Sequence, residues 1–251
     1  MGTVYAVGVG PGSPNYITEI VKKIILDSDF IVGYKYTLNT ISVLIHNKEV
    51  YEITMENQEK IYQKISRELG GGVLVVPFTG DVNFSESEVV DRLIEIFGDV
   101  EIVPGISSVQ VAASKAKIPL DKSKTITMHI STSIEDKKIE LQKALIDGYN
   151  VVLVPRPWPK DPKKHFMPSE ISKYLKQNGF DTSKMKVYVF EALTTENEVS
   201  FEGMLNFFSN IRSIVFSMYI CPTMNRSRSL AVSRIFFRAV PDSIFCITIQ
   251  N

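Results

Sequence analysis

Two cysteines, Cys221 and Cys246, are all that 251 residues contain, which suggests neither a disulfide framework nor a cysteine-built metal site. Charge of one sign is also lacking: 28 Lys and Arg stand against 28 Asp and Glu, so the overall basic excess of a nucleic-acid binder is missing. No apolar run approaches the roughly 18 residues of a membrane span, and the N-terminus has no signal-peptide layout. These absences predict a soluble cytoplasmic protein without a metal centre, binding neither nucleic acid nor membrane. Histidine is scarce; His46 and His165 sit in polar contexts that carry no assignment, and His129 ends a strand-like stretch. Apolar residues make up 44% of the chain, enough for real cores in one large or two ordinary domains.

The stretch Val7-Gly8-Val9-Gly10-Pro11-Gly12-Ser13-Pro14 closes an apolar run and opens a helical one. Val4 to Val9 is β-branched, aromatic and uncharged, as a buried parallel strand would be. The glycines permit tight curvature and close approach of a ligand. Ser13 reads as a helix N-cap and Pro14 as a first-turn proline, with Ile17, Ile20, Val21, Ile24 and Ile25 on one face.

Strand-like and helix-like stretches then alternate to about Lys117. The pattern predicts strands at Phe30 to Val32, Val50 to Ile53, Val73 to Phe78 and Val100 to Val103, with an apolar stretch from Leu38 to Ile45. Helices are expected at Asn57 to Leu69, Val89 to Phe97 and Ser107 to Lys115. Such alternation implies an α/β architecture with a parallel sheet and right-handed crossovers, whose ligands bind beyond the carboxyl ends of the strands. Three of those ends carry unusual residues: the opening glycine loop, Thr79-Gly80-Asp81-Val82-Asn83-Phe84, and Pro104-Gly105-Ile106-Ser107-Ser108. Any one alone also reads as an ordinary turn. Together they predict a rim of backbone amides and hydroxyls around Asp81. A dinucleotide fingerprint would need glycine where Ser13 stands and an acid at the end of the second strand, which instead reads Val32-Gly33-Tyr34-Lys35. Asp27 and Asp29 precede that strand, so NAD is rejected.

Ile118-Pro119-Leu120-Asp121 reads as a linker. Beyond it, Thr125 to Met128, Val151 to Val154 and Val187 to Phe190 resemble strands, and Glu135 to Ile146 and Ser169 to Asn178 helices. Pro155-Arg156-Pro157-Trp158-Pro159-Lys160-Asp161-Pro162 forbids regular structure. It reads as a surface loop, or as a flap offering Arg156 and Trp158 to a planar anionic ring. From Arg212 onward five arginines face one acid, Asp242, a local net charge of +4. Within that tail Ser213 to Ile220 is a candidate last strand and Ser243 to Ile249 a candidate edge strand.

The set of loops resembles the tetrapyrrole methylases, S-adenosylmethionine (SAM)-dependent enzymes of siroheme and cobalamin synthesis. Gly8 to Gly12 is similar to the family's Gly-x-Gly-Pro-Gly loop, Gly80-Asp81 to the loop after its fourth strand, and Pro104 to Ser108 to the turn after its fifth. Ile31 to Leu38, Pro104 to Gln110, and Glu191-Ala192-Leu193-Thr194 with Glu196 and Glu198 resemble the branch that methylates C5 of cobalt-precorrin-7. Three departures stand out: Ser13 replaces a frequent Asp, Tyr36 replaces a basic residue, and Met128-His129-Ile130-Ser131 keeps only the His of a His-Gly-Arg stretch.

The resemblance implies a two-domain fold, with a parallel-sheet αβα domain over 1–118, a mixed-sheet αβα domain over 121–251 (212–251 atypical), and SAM in the cleft between them. It implies cofactor contacts from Gly10, Pro11, Gly12, Thr79, Gly80, Asp81, Phe84, Ser107 and Ser108, with Ala192 and Leu193 approaching from the second domain. For a corrinoid substrate rich in carboxylates it implies a basic rim, for which Lys35, Arg156 and Lys22 are candidates, and His129 is a candidate proton acceptor. A homodimer and a C15-methyltransferase/decarboxylase partner are expected on the same ground. Alternatives within the superfamily are another precorrin methylase or diphthine synthase; outside catalysis, the alternative is a non-catalytic subunit.

Overall fold

The uncharged run near the N-terminus forms β1 (Thr3–Gly8), with Val4, Ala6 and Val7 buried. The computed structural model describes residues 2–84, 86–157, 161, 163–210 and 245–250. Two units emerge: Met1–Asp121 with Ala192–Glu198, and Lys122–Glu191 with Val199–Asn251. In the first, β1 pairs in parallel with β4 (Val73–Phe78) and β5 (Glu101–Val103), and β2 (Phe30–Tyr34) pairs in parallel with β3 (Glu49–Ile53) and β4. The order β3-β2-β4-β1-β5 places β4 and β1 at the centre, which is why their runs are apolar almost throughout.

The alternation of strand side chains supplies two core faces. Val4, Ala6, Val32, Leu74 and Val76 pack with Tyr62 and Ile65 of α3 (Gln58–Glu68) and Val90 and Leu93 of α4 (Ser87–Phe97). Val7, Ile31 and Val75 face the other way, onto Val21 and Ile25 of α1 (Glu19–Asp27) and Leu38 of α2 (Lys35–Thr40). Ser13 and Pro14 start only a single 3₁₀ turn, Pro14–Tyr16, and α1 has its own cap, Thr18. Rotating the helix start in this way buries Ile17, Val21 and Ile25 and leaves Ile20 in solvent. After β5 comes α5 (Ser108–Ala116).

In the second unit, β6 (Ser123–Thr127) and β7 (Asn150–Val154) are parallel, β10 (Phe245–Gln250) lies antiparallel between β7 and β8 (Lys186–Glu191), and β9 (Val199–Met204) forms the edge. The sheet is mixed. Its core joins Ile126, Leu153, Val187, Val189, Ile247 and Ile249 to Leu141 of α6 (Glu135–Ile146) and Ile171 and Leu175 of α7 (Pro168–Gln177). The tail strand expected at the edge is therefore central: Cys246, Ile247, Thr248 and Ile249 are all buried, and burial pushes the Cys246 thiol up to about 12. The strand suggested at Ser213 to Ile220, the tail arginines and Cys221 lie outside the described residues.

Beyond the carboxyl ends of β1, β4 and β5 the backbone itself is in contact. Gly10 and Gly80 form an antiparallel pair, with Gly80 N donating to Gly10 O (2.8 Å) and Gly10 N to Gly80 O (3.2 Å). A Cβ on Gly105 would lie 2.3 Å from Gly80 O and 2.5 Å from Gly8 C and O, and one on Gly8 would lie 2.5 Å from Gly105 N. Those neighbours are backbone atoms and cannot swing aside. Glu86 precedes α4, and burial raises its carboxyl pKa to about 7.

Two outcomes follow for stability. Gly105→Ala should lower the unfolding free energy of this unit by more than about 3 kcal/mol, or abolish folding, because overpacking against fixed backbone has no relief; urea denaturation measures it. Burial raises the Glu86 carboxyl from its ordinary 4.5 to about 7, so the folded state binds the extra proton and its penalty grows as pH rises through that window. Glu86→Gln should thus stabilise the protein by about 3 kcal/mol above pH 7.5, and the gain should vanish near pH 4. Denaturation curves at the two pH values check the sign.

Candidate active site

The Gly10–Gly80 pair leaves the intervening and following residues, Pro11, Gly12, Thr79, Asp81 and Phe84, clustered at the same end of the sheet. Asp81 stitches two of the loops together. Its Oδ1 accepts from Asn83 N at 2.7 Å, closing its own turn, and its Oδ2 accepts from Gly105 N at 3.0 Å, 24 residues on. Phe84 N completes that turn by donating to Asp81 O at 3.1 Å. Both oxygens of the carboxylate thus hold backbone amides, so its first task is to fix the spacing of the loops.

Ser107 caps α5: its Oγ accepts from Val109 N (3.2 Å), while the Gln110 side chain accepts from Ser107 N (3.0 Å). This reciprocal arrangement fixes the helix start. A Cβ on Gly80, which has φ +74°, would lie 3.6 Å from Ser108 N, so the N-terminal turn of α5 borders the bare Gly80 backbone. Ser108 itself is buried.

The segment Ala192–Glu198 belongs to the same unit although it is distant in sequence. Ser13 N donates to Thr194 Oγ1 at 2.9 Å, and Thr194 N donates to Glu198 Oε2 at 2.6 Å. The other Glu198 oxygen pairs with Lys115 Nζ of α5, also at 2.6 Å. Thr195 Oγ1 donates to Ala192 O at 2.7 Å. These bonds hold Ala192 (φ 49°) and Thr194 (φ 69°) in the left-handed region, which costs a non-glycine residue about 1–2 kcal/mol. Leu193 is fully buried. A Cβ on Gly12 would lie 2.7 Å from Thr195 Cγ2, 2.8 Å from Leu193 O and 3.0 Å from the Tyr36 hydroxyl. The opening loop, the Gly80 and Gly105 loops and the Ala192–Glu198 segment therefore share one neighbourhood.

The residues singled out for substrate are placed differently. Lys35 opens α2 at the end of β2 and is exposed. Lys22 lies on α1 and pairs with Glu19 at 2.6 Å. His129 and Arg156 belong to the second unit. Arg156 is only 2% exposed rather than standing on a solvated rim: its backbone pairs with Phe166, and Nη2 donates to Ser131 O at 3.0 Å. Its pairing with Phe166 ties Arg156 to its own unit. His129 is solvent-accessible, yet the desolvating protein around the ring and, after that, the Arg156 guanidinium hold its pKa below the ordinary value, so the ring is neutral at pH 7. Trp158 lies outside the described residues.

Sequence reasoning missed two participants. In the sequence Tyr36 stands out only as replacing a basic residue, and Glu198 only as part of the segment from Glu191 that carries the resemblance; their positions depend on contacts with segments far away in the chain. Among the described residues no group of three or more His, Cys, Asp or Glu is arranged to hold a metal ion, and no helix is long and apolar enough to cross a membrane.

The family model for tetrapyrrole (corrin/porphyrin) methylases matches residues 3–206. A relative from Methanocaldococcus jannaschii, named as a probable cobalt-precorrin-7 C(5)-methyltransferase, is 29% identical over 199 residues, covering 78% of this chain and 86% of that protein. The crystal structure of the methyltransferase CobJ superposes with a TM-score of 0.72 at 16% identity, covering 100% of this chain and 95% of the other. That of the cobalamin-biosynthesis precorrin-6Y methylase (cbiE) from Archaeoglobus fulgidus gives 0.61 at 20% identity, covering 100% and 98%. Those two likenesses establish the shared fold. With the family model spanning both sheets up to residue 206, this chain belongs to the tetrapyrrole (corrin/porphyrin) methylases.

Proposed function

We propose that the chain transfers a methyl group from SAM to C5 of cobalt-precorrin-7 or a closely related precorrin, working in the cytoplasm. The observation that carries the cofactor part is the backbone junction of Gly8, Gly10, Gly80 and Gly105, which brings three loops together at one end of the parallel sheet. The C5 position is supported by the similarity to the M. jannaschii relative over 78% of this chain.

The residues present fit such a donor. Gly80 leaves bare backbone where a Cβ would meet nothing closer than 3.6 Å, the amide of Ser108 faces it, and the Tyr36 hydroxyl is buried without a protein partner. Gly10, Pro11, Gly12, Thr79, Gly80, Phe84, Ser107, Ser108, Ala192 and Leu193 would hold the nucleoside and amino-acid portions, with Asp81 fixing the loops that do so. When bound, SAM supplies a methyl group already activated by its sulfonium. In-line displacement then asks the protein chiefly to position the partners and exclude water, and a site made mainly of fixed backbone suits that task. Lys35 supplies positive charge for substrate carboxylates. His129, whose pKa burial holds below the ordinary value, is the proposed acceptor of the proton lost from the alkylated carbon.

Isothermal titration should show SAM binding with a Kd on the order of tens of micromolar or tighter. Asp81→Ala should abolish it, because losing two charge-assisted bonds to backbone amides releases both the Gly80 and Gly105 loops. Lys35→Ala should leave SAM binding intact and weaken the corrinoid roughly tenfold, the loss of about one charged contact. Mass spectrometry of the corrinoid product should show one added methyl group. An Asp81→Ala protein that binds SAM normally would refute the loop assignment.

A further inference from the structure

The Tyr36 hydroxyl is buried, with no hydrogen-bond partner in the protein. Buried polar groups are nearly always paired, so an orphan in a well-determined corner calls for an explanation. The corner is well determined: Thr37 Oγ1 bonds Tyr34 O at 2.8 Å, Thr40 Oγ1 bonds Tyr36 O at 3.2 Å, and Leu38 is anchored in the core. With α2 fixed from below, the Tyr36 ring reaches the opening loop. Its oxygen would stand 3.0 Å from a Cβ placed on Gly12, a position that Leu193 O also approaches at 2.8 Å. Gly12, at φ +151°, is thus packed closely, with Thr195 Cγ2 2.7 Å from the same point, beside an unused hydroxyl.

We propose that the Tyr36 hydroxyl is a binding group for the methyl donor, donating a hydrogen bond to an acceptor oxygen of that molecule beside the opening loop. The assignment rests on the SAM reading given above. Burial raises the phenol pKa, so the group stays neutral throughout the physiological range and keeps a proton to donate to an acceptor oxygen. The unbound protein carries the cost of the unmade bond, and the ligand relieves it. The acceptor belongs either to the amino-acid carboxylate or to the ribose.

Tyr36→Phe keeps the ring and removes only the hydroxyl. Thermal unfolding of the ligand-free variant should occur at or above the wild-type temperature, since an unsatisfied group has been deleted. Calorimetry should meanwhile show about tenfold weaker binding of S-adenosylhomocysteine, one ordinary hydrogen bond lost with its desolvation. Methylthioadenosine, which lacks the carboxylate, separates the sources: an equal loss assigns the bond to the ribose, and no loss assigns it to the carboxylate. Unchanged affinity of the variant for S-adenosylhomocysteine overturns the assignment, as does a fall in the unfolding temperature without ligand. If wild-type protein binds neither SAM nor S-adenosylhomocysteine, the cofactor reading itself fails, and Tyr36 falls with it.

Discussion

The first unit depends on peptide planes meeting without side chains between them. Adjacent parallel strands lie about 4.8 Å apart, and the loops leaving them ordinarily diverge because each residue carries a Cβ. Here Gly8 and Gly105 remove that obstacle, so the ends of β1 and β5 close to backbone contact, with Gly80 O of the β4 loop lodged against both. The chain uses the proximity at once. Gly10 and Gly80 turn a parallel pairing into an antiparallel one, and Asp81 reaches across to the Gly105 amide. A rim made this way is stiff, because its geometry is set by bonded backbone rather than by rotamers.

That stiffness extends to the Ala192–Glu198 segment through one carboxylate. Glu198 holds the Thr194 amide with one oxygen and the Lys115 ammonium with the other. Thr194 in turn receives the Ser13 amide on its hydroxyl. The opening loop is therefore coupled to α5 twice, through the glycine junction and through Ser13, Thr194, Glu198 and Lys115. The left-handed backbone at Ala192 and Thr194 is the cost of bending the segment into reach. It is sustained because a charge-assisted bond, worth about 1.5–3 kcal/mol, over-determines the bend.

Much of this was legible in the sequence, and what was hidden has physical reasons. Val73 to Phe78 and Glu135 to Ile146 were readable to the residue, the one as an uninterrupted apolar run and the other as a helical segment entered through an acidic first turn. The meeting of the three glycine-bearing loops followed from their common place at strand ends. The start of α1 was misplaced because Ser13-Pro14 is a true cap signal that serves a 3₁₀ turn, with Thr18 repeating it. β9 escaped notice since an edge strand that alternates half-buried and exposed residues lacks an apolar run. β10 was put at the edge although Phe245 to Ile249 is apolar enough to lie between two neighbours. Arg156 shows the limit of reading charge as exposure: pairing of its backbone with Phe166 carries the guanidinium inward.

Tyr36, Glu86, Ala192 and Thr194 bring the same logic to the site. Each would be easier to satisfy elsewhere: a hydroxyl in water, a carboxyl in water, a left-handed turn with glycine. All four lie in the first unit, where Tyr36 opens onto the Gly12 loop and Glu86 follows the loop that bears Asp81. Groups held at a local disadvantage persist when the surrounding packing is secure and when some bound state removes the disadvantage. The double-faced core around β4 and β1 supplies the first condition. The rim of the ligand-free unit is already set by its own bonds, and the Tyr36 hydroxyl is left without a protein partner. A methyl donor would then enter a site that needs little reorganisation, so binding free energy is not consumed in ordering the loops.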